Sequence, residues 1–184
     1  MKKLLLIFLL ILSACAKADK PNFPYEVKAE KVDMSMYEGV SSTKHNFMKT
    51  KASELFKCFE EKSSGIFYIG RKNCGCCQTV TKYVSQKASE LGVTIYYLDA
   101  YDKDEPLTDK ATYDKLLEYL SDYLPEDEDG KKGLLTPHLF TLIDGKIVGS
   151  QICHDGIEFD KPETDDQIKS LLDAYQKIME PFKE

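Results

Sequence analysis

The sequence predicts an α/β fold, with a central mixed β-sheet flanked by helices on both faces. Three observations lead there. Short apolar strand segments alternate with amphipathic helical segments between residues 42 and 98, an order that requires parallel strands joined by right-handed crossovers. Asp144-Gly145, between HLFTLI and KIVGSQI, is a strong hairpin signal and adds antiparallel strands to the same sheet. A capping box, Thr164-Asp-Asp-Gln167, heads a final helix.

The chain opens MKKLLLIFLLILSAC: Lys2 and Lys3, an apolar run over residues 4–12, then small residues, which is the plan of a secretory signal peptide. The run is too short to span a bilayer. Leu12-Ser13-Ala14-Cys15 resembles the lipobox of bacterial lipoproteins, which implies removal of residues 1–14 and lipidation of Cys15. The competing reading is an ordinary cleaved signal whose apolar run happens to end in cysteine. Residues 15–31 are expected to be lipid anchor and tether, and residues 32–184 the domain, held at the extracytoplasmic face of a bacterial membrane. Losing Lys2 and Lys3 leaves 23 of the 25 basic residues against 31 acidic ones, a net of −8, with no basic patch to suggest nucleic acid.

Along the domain, Met34 and Met36 alternate with polar neighbours in VDMSMY and predict an edge strand. Phe47, Met48, Ala52, Leu55, Phe56 and Phe59 fall at helical spacing, a first helix from about Ser42 that ends near Ser63-Ser64-Gly65. Residues 66–69 form a short apolar strand. Val80, Val84, Ala88 and Leu91 repeat every three or four residues until Gly92 stops that helix. VTIYYL, residues 93–98, is rich in β-branched and aromatic residues and predicts a strand. Tyr113, Leu116, Leu117, Leu120 and Leu124 line one face of a helix over residues 108–124, which Pro125 ends. PEDEDGKKG then reads as a solvated loop, with an acidic metal-binding loop as its rival. Ile168, Leu171, Leu172, Tyr175, Ile178 and Met179 give the last helix its apolar face.

The chemistry concentrates in RKNCGCCQTV, residues 71–80. With Asn73 as the expected N-cap, Cys74 lies in the first turn of a helix, where free N–H groups and the helix dipole favour a thiolate. Thiols at such positions in Cys-x-x-Cys motifs fall to roughly 3.5–7.5, against about 8.5 for free cysteine. Cys77 lies one turn on, within reach of Cys74, and continues the Val80, Val84, Ala88 stripe toward the core. Cys74 is therefore expected as the exposed attacking thiol and Cys77 as the shielded resolving one. Cys76 points away from Cys74 and reads as a bystander, or otherwise as an auxiliary thiol or ligand.

GIFYIGRKNC-GC-C, its helix, and Thr136-Pro137 leading into LFTLIDGKIVGSQI together resemble the thioredoxin superfamily over residues 40–180. The resemblance implies a thioredoxin-like sheet, a cis-proline at Pro137 facing the cysteines, and a substrate groove shaped by Thr136 and Pro137. An exported form with an N-terminal strand and helix is similar to the bacteriocin transport accessory proteins of Gram-positive bacteria. The chain departs from the family pattern: Asn73 stands in place of the tryptophan before the first cysteine, and Tyr68 falls near the place of the buried acid. The family fold also brings the end of the last hairpin strand, here Ile152-Cys153-His154, beside the helix start. Cys153 and His154 are thus candidates for a relay thiol or a soft-metal ligand set with Cys74 and Cys76. Against that stands the plain reading of a buried thiol and a surface histidine. Cys58 reads as a core residue and His138 as a strand residue rather than a general base.

The function expected is a membrane-anchored, extracytoplasmic thiol–disulfide oxidoreductase without cofactor or resident metal. Its partners would be protein thiols and disulfides and a separate redox partner. Two rivals remain: a thiol-based copper or zinc lipoprotein, and a non-catalytic accessory module of an export system.

Overall fold

A computed structural model describes residues 20–153, 157 and 161–183. The described elements run β1 (Glu30–Lys31), β2 (Phe47–Lys49), α1 (Ala52–Glu60), β3 (Gly65–Gly70), α2 (Gly75–Leu91), β4 (Ile95–Asp99), α3 (Lys110–Leu120), β5 (His138–Ile143), β6 (Lys146–Ile152) and α4 (Asp165–Met179). The run GIFYIG is β3, and all six of its residues are buried. Successive side chains of a strand point to opposite faces, so Ile66 and Tyr68 enter one core while Phe67 and Ile69 enter another. A strand covered on both faces must be apolar throughout, which is why β3 shows no alternation.

Among the described residues the strands form one sheet in the order β1-β2-β4-β3-β5-β6. β2, β4 and β3 are mutually parallel, and β5 runs antiparallel to β3. α2 and α4 cover the Tyr68 face, and α1 and α3 the Phe67 face. The expected mixed α/β sheet is therefore present, and its β3–α2 connection places the cysteine run at the carboxyl end of the central strand.

Local signals set the boundaries. Gly92 adopts φ 70 and closes α2 through its N–H to the Ala88 and Ser89 carbonyls. Asp109 caps α3, accepting from the Ala111 and Thr112 N–H groups. The capping box of Thr164 and Gln167 is complete. Asp144 (φ 51) and Gly145 (φ 70) make the β5–β6 turn, tucked so closely that a Cβ on Gly145 would lie 2.7 Å from the Phe59 carbonyl oxygen.

Two expected elements differ. VDMSMY is a turn, in which the Tyr37 N–H donates to the Met34 carbonyl at 3.0 Å and both side chains are fully buried. Phe47 and Met48 match a helical period, yet they form β2, in register with Ile95 and Tyr96, and α1 begins only at Ala52. A three-residue strand is too short to show a two-residue period, so the longer helical pattern masked it. The last turn of the helix expected over residues 108–124 is a 3-10 turn, Ser121–Tyr123.

Much of the segment read as tether lies along the domain. The Asn22 N–H donates to Ser64 Oγ at 2.9 Å and the Ser63 hydroxyl to the Tyr25 carbonyl at 2.7 Å. The buried Glu54 carboxylate accepts from the Tyr25 hydroxyl and the Lys28 N–H, and Val27 enters the core. In the acidic loop, the Asp127 carboxylate accepts from the Asp129 and Lys131 N–H groups at 3.0 and 2.8 Å, closing a turn on itself. No cluster of three or more His, Cys, Asp or Glu among the described residues is placed to hold a metal ion.

Asp102 anchors the loop after β4. Its buried carboxylate meets Lys49 Nζ at 2.6 Å and accepts from the Asp104 and Glu105 N–H groups at 2.9 and 3.1 Å. Burial acts to raise its pKa, but Lys49 and the two N–H groups outweigh it and hold the carboxyl down to about 2. A depressed carboxyl stabilises the fold above its unfolded value near 3.9, and that stabilisation fades as pH falls toward 2. Asp102→Asn is expected to cost about 1–3 kcal/mol at pH 7, from the loss of charge-assisted bonds and an unpaired Lys49. Urea unfolding of both proteins at pH 7 and pH 3 checks this: the gap should narrow at the lower pH.

Candidate active site

Cys74, expected inside the first turn of α2, is itself the N-cap. Its backbone is extended (φ −134, ψ 113) and its Sγ accepts the Cys77 N–H at 3.1 Å, the part a serine or aspartate oxygen usually plays. The expected exposed thiol is also nearly covered, at 7% of its surface, because the Thr136–Pro137 loop lies over it. The Thr136 hydroxyl donates to Sγ at 3.5 Å, while the Thr136 carbonyl, 3.2 Å away, accepts from the thiol form. The Thr136–Pro137 bond is cis. The fold is thioredoxin-like.

At the start of α2 the two thiols divide by environment. The Cys77 thiol contributes most to holding the Cys74 pKa well below the ordinary thiol value. Burial opposes the shift, and the Thr136 hydroxyl, the Cys77 N–H and the Arg71 guanidinium favour it. The helix dipole acts in the same direction. Cys77 is fully buried, and its pKa is pushed far up, first by its bond to Cys74 and then by burial. One proton is thus shared unequally, leaving Cys74 the thiolate and Cys77 the thiol.

Tyr68 occupies the place near which the resemblance puts a buried acid. Thr81 Oγ1 donates to the Cys77 carbonyl at 2.6 Å, so its remaining bond, 2.6 Å to the Tyr68 hydroxyl, has Tyr68 as donor. Burial holds Tyr68 neutral, its pKa far above the ordinary value, so it supplies hydrogen bonding but no base at the pH of thiol chemistry. Tyr37 and Tyr97 meet hydroxyl to hydroxyl at 3.0 Å above the same core, and Gly70 leaves room for them: a Cβ there would lie 2.8 Å from the Tyr37 hydroxyl.

Cys76 is joined to Cys153 by a disulfide that ties the end of β6 to the first turn of α2. The bystander reading of Cys76 and the buried-thiol reading of Cys153 are both corrected by this bond, and while it is closed neither sulfur is a free thiolate. Cys74, Cys77 and Cys58 are free thiols. Cys58 sits in the core of the α1 face with its pKa raised to about 12 by burial and by Glu54, an inert group. His138 is fully buried on β5, one ring nitrogen 2.7 Å from Ser150 Oγ and the other unpartnered. His154 and Cys15 lie outside the described residues.

Arg71 had escaped the sequence reading. Its guanidinium donates to the Tyr101 hydroxyl at 2.9 Å and adds positive charge beside Cys74. A basic residue three positions before the first cysteine was the available signal. The joining of Cys76 to Cys153 had only a topological signal, the expected approach of the β6 end to the helix start.

No family model and no curated protein matches the sequence. Among solved structures the chain is similar to a putative oxidoreductase with a thioredoxin fold, at 14% identity and a TM-score of 0.42, over 60% of this chain and 85% of that one. It is similar to thioredoxin O2 from Arabidopsis thaliana in the oxidized state, at 12% identity and a TM-score of 0.41, over 76% of this chain and 96% of that one. Poplar thioredoxin h gives 16% identity and a TM-score of 0.34, over 70% of this chain and 97% of that one.

Proposed function

We propose that the protein is a thiol–disulfide oxidoreductase in which Cys74 attacks and Cys77 resolves. The observation that carries this reading is the Cys74 sulfur itself, capping α2 by accepting the Cys77 N–H at 3.1 Å with the Thr136 hydroxyl beside it. The Cys74 thiolate attacks one sulfur of a substrate disulfide, forming a mixed disulfide and releasing the other sulfur as a thiolate. Cys77 loses its proton and attacks Cys74, which forms the Cys74–Cys77 disulfide and releases the reduced substrate. Oxidised protein runs the reverse course on a substrate dithiol. Thr136 and Pro137 border Cys74 and would shape the groove that holds the substrate chain.

The setting proposed is the extracytoplasmic face of a bacterial membrane, with residues 1–14 removed and Cys15 lipidated. Protein thiols and disulfides would be the substrates, with a separate redox partner. A place beside an export system is what the similarity to bacteriocin transport accessory proteins suggests. Of the five cysteines left after Cys15, Cys76 and Cys153 form a disulfide of the kind an oxidising compartment maintains, while Cys58, Cys74 and Cys77 are free thiols.

Titration of the protein in glutathione redox buffers, read by alkylation and mass spectrometry, tests the chemistry. A single two-electron transition linking Cys74 and Cys77 is expected, with Cys74 alkylated first at acidic pH. Two thiols that titrate independently and react only in the ordinary thiol range would end the proposal. Expression of Cys15→Ala tests the anchor: the variant should leave the membrane fraction.

A further inference from the structure

We propose that Cys76–Cys153 is a second redox-active disulfide, opened by an external thiolate that attacks Cys153 from the open groove it lines with Tyr123 and Leu135. The two sulfurs of this bond are not equivalent. Cys76 is all but enclosed, in the first turn of α2. Cys153 is half-buried and lines an open groove of about 620 Å³ with Tyr123, Pro125, Leu135 and Ile152. Leu135 and Tyr123 are unusually exposed for their size, at 48% and 40%, and both border this groove. Access therefore favours attack on Cys153.

The sulfur that departs is then Cys76 Sγ, in the first turn of α2. The incoming thiolate forms a bond to Cys153 Sγ as the Cys76–Cys153 bond breaks, and the electron pair departs on Cys76 Sγ. A second thiolate attacks the external sulfur of the mixed disulfide, which releases Cys153 as a thiolate and yields the external disulfide. Two thiols are oxidised and one protein disulfide is reduced. Asp122 also lines the groove, so a negatively charged small thiol is less favoured there than a neutral cysteine peptide with apolar flanks.

The test uses the full chain carrying Cys74→Ser and Cys77→Ser, so its result stands whatever becomes of the function proposed for those two residues. The variant is exposed to limiting reduced glutathione or to a Leu-Cys-Phe peptide, quenched with an alkylating agent and mapped by mass spectrometry, with folding followed by circular dichroism. The expected product is a mixed disulfide on Cys153 with Cys76 alkylated in folded protein, formed about tenfold faster by the peptide than by glutathione at equal thiolate concentration. A bond that stays closed until the chain unfolds overturns the proposal and makes the disulfide a structural staple. An adduct on Cys76 overturns the direction of attack, and a peptide no faster than glutathione overturns the role of the groove.

Discussion

Cys74→Ser is expected to reduce disulfide exchange to background while keeping the helix cap, whereas Cys74→Ala removes the same activity and the cap as well, so that the alanine variant is the less stable of the two by about 1 kcal/mol. The two substitutions separate because Cys74 has two parts to play. As a nucleophile it cannot be replaced by a hydroxyl, which forms no disulfide and stays protonated at neutral pH. As an N-cap, accepting the Cys77 N–H, it can be replaced by serine, one of the best capping residues. Cys77→Ser should behave differently again: Cys74 still attacks, nothing resolves, and a mixed disulfide with the substrate accumulates. The pH profile follows from the two shifts. Alkylation of Cys74 in the reduced protein should persist well below the ordinary thiol range near 8.5, because the Cys77 thiol and its other partners hold it ionised. Resolution by Cys77 should instead accelerate about tenfold per pH unit between pH 6 and 8.5, since in the mixed disulfide burial still disfavours its thiolate and the neutral Tyr68–Thr81 pair gives it no base. Stopped-flow insulin reduction and iodoacetamide alkylation across this range measure both arms, and a resolution rate flat with pH would point to a base that the Tyr68 neighbourhood lacks.

How far the sequence carried depended on the length scale of each signal. β3, the hairpin, the Gly92 stop and the Thr164 capping box were legible because each is a pattern of adjacent or periodic residues read by local sterics and hydrogen bonding. β2 was not, because its three residues owe their conformation to β4, nearly fifty positions away. The packing of residues 22–31 was hidden for the same reason: it rests on Ser63, Ser64 and Glu54, and nothing in the segment's own composition announces them. In the site, the spacing of Cys74 and Cys77 showed which sulfurs could meet, but which residue caps the helix turned on a single backbone angle. The Asn73 expectation failed there. Cys76 and Cys153 are 77 positions apart, and only the fold brings them together.

His138 should make the domain acid-sensitive. The ring is fully enclosed on β5, in register with Ile69 on β3 and Ile152 on β6, and burial lowers its pKa to about 4 from an ordinary value near 6.5. One ring nitrogen meets the Ser150 hydroxyl at 2.7 Å, and the other is buried without a partner, so a second proton there has nothing to receive it. Above pH 6.5 the histidine is neutral in folded and unfolded chains alike and contributes no pH dependence. As pH falls from 6.5 toward 4 the unfolded chain takes up a proton that the folded one refuses, so stability is lost across that window, by about 3 kcal/mol at most. That is a large share of the 5–15 kcal/mol typical of a domain. The reduced protein also loses the contribution of its depressed Cys74 as pH falls from about 8.5, so the comparison belongs in a Cys74→Ser background. There, urea midpoints from pH 7.5 to 4 should fall steeply with His138 present and much less with His138→Phe, and equal slopes would show that the buried ring is not the sensor. Because His138 directly follows Pro137, a proton forced onto it loosens the strand that holds Thr136 over Cys74. The folded Cys74 thiolate, with its pKa held down to about 5, takes up its proton before His138, at about 4, so acid silences the thiol first and strains the strand over it second.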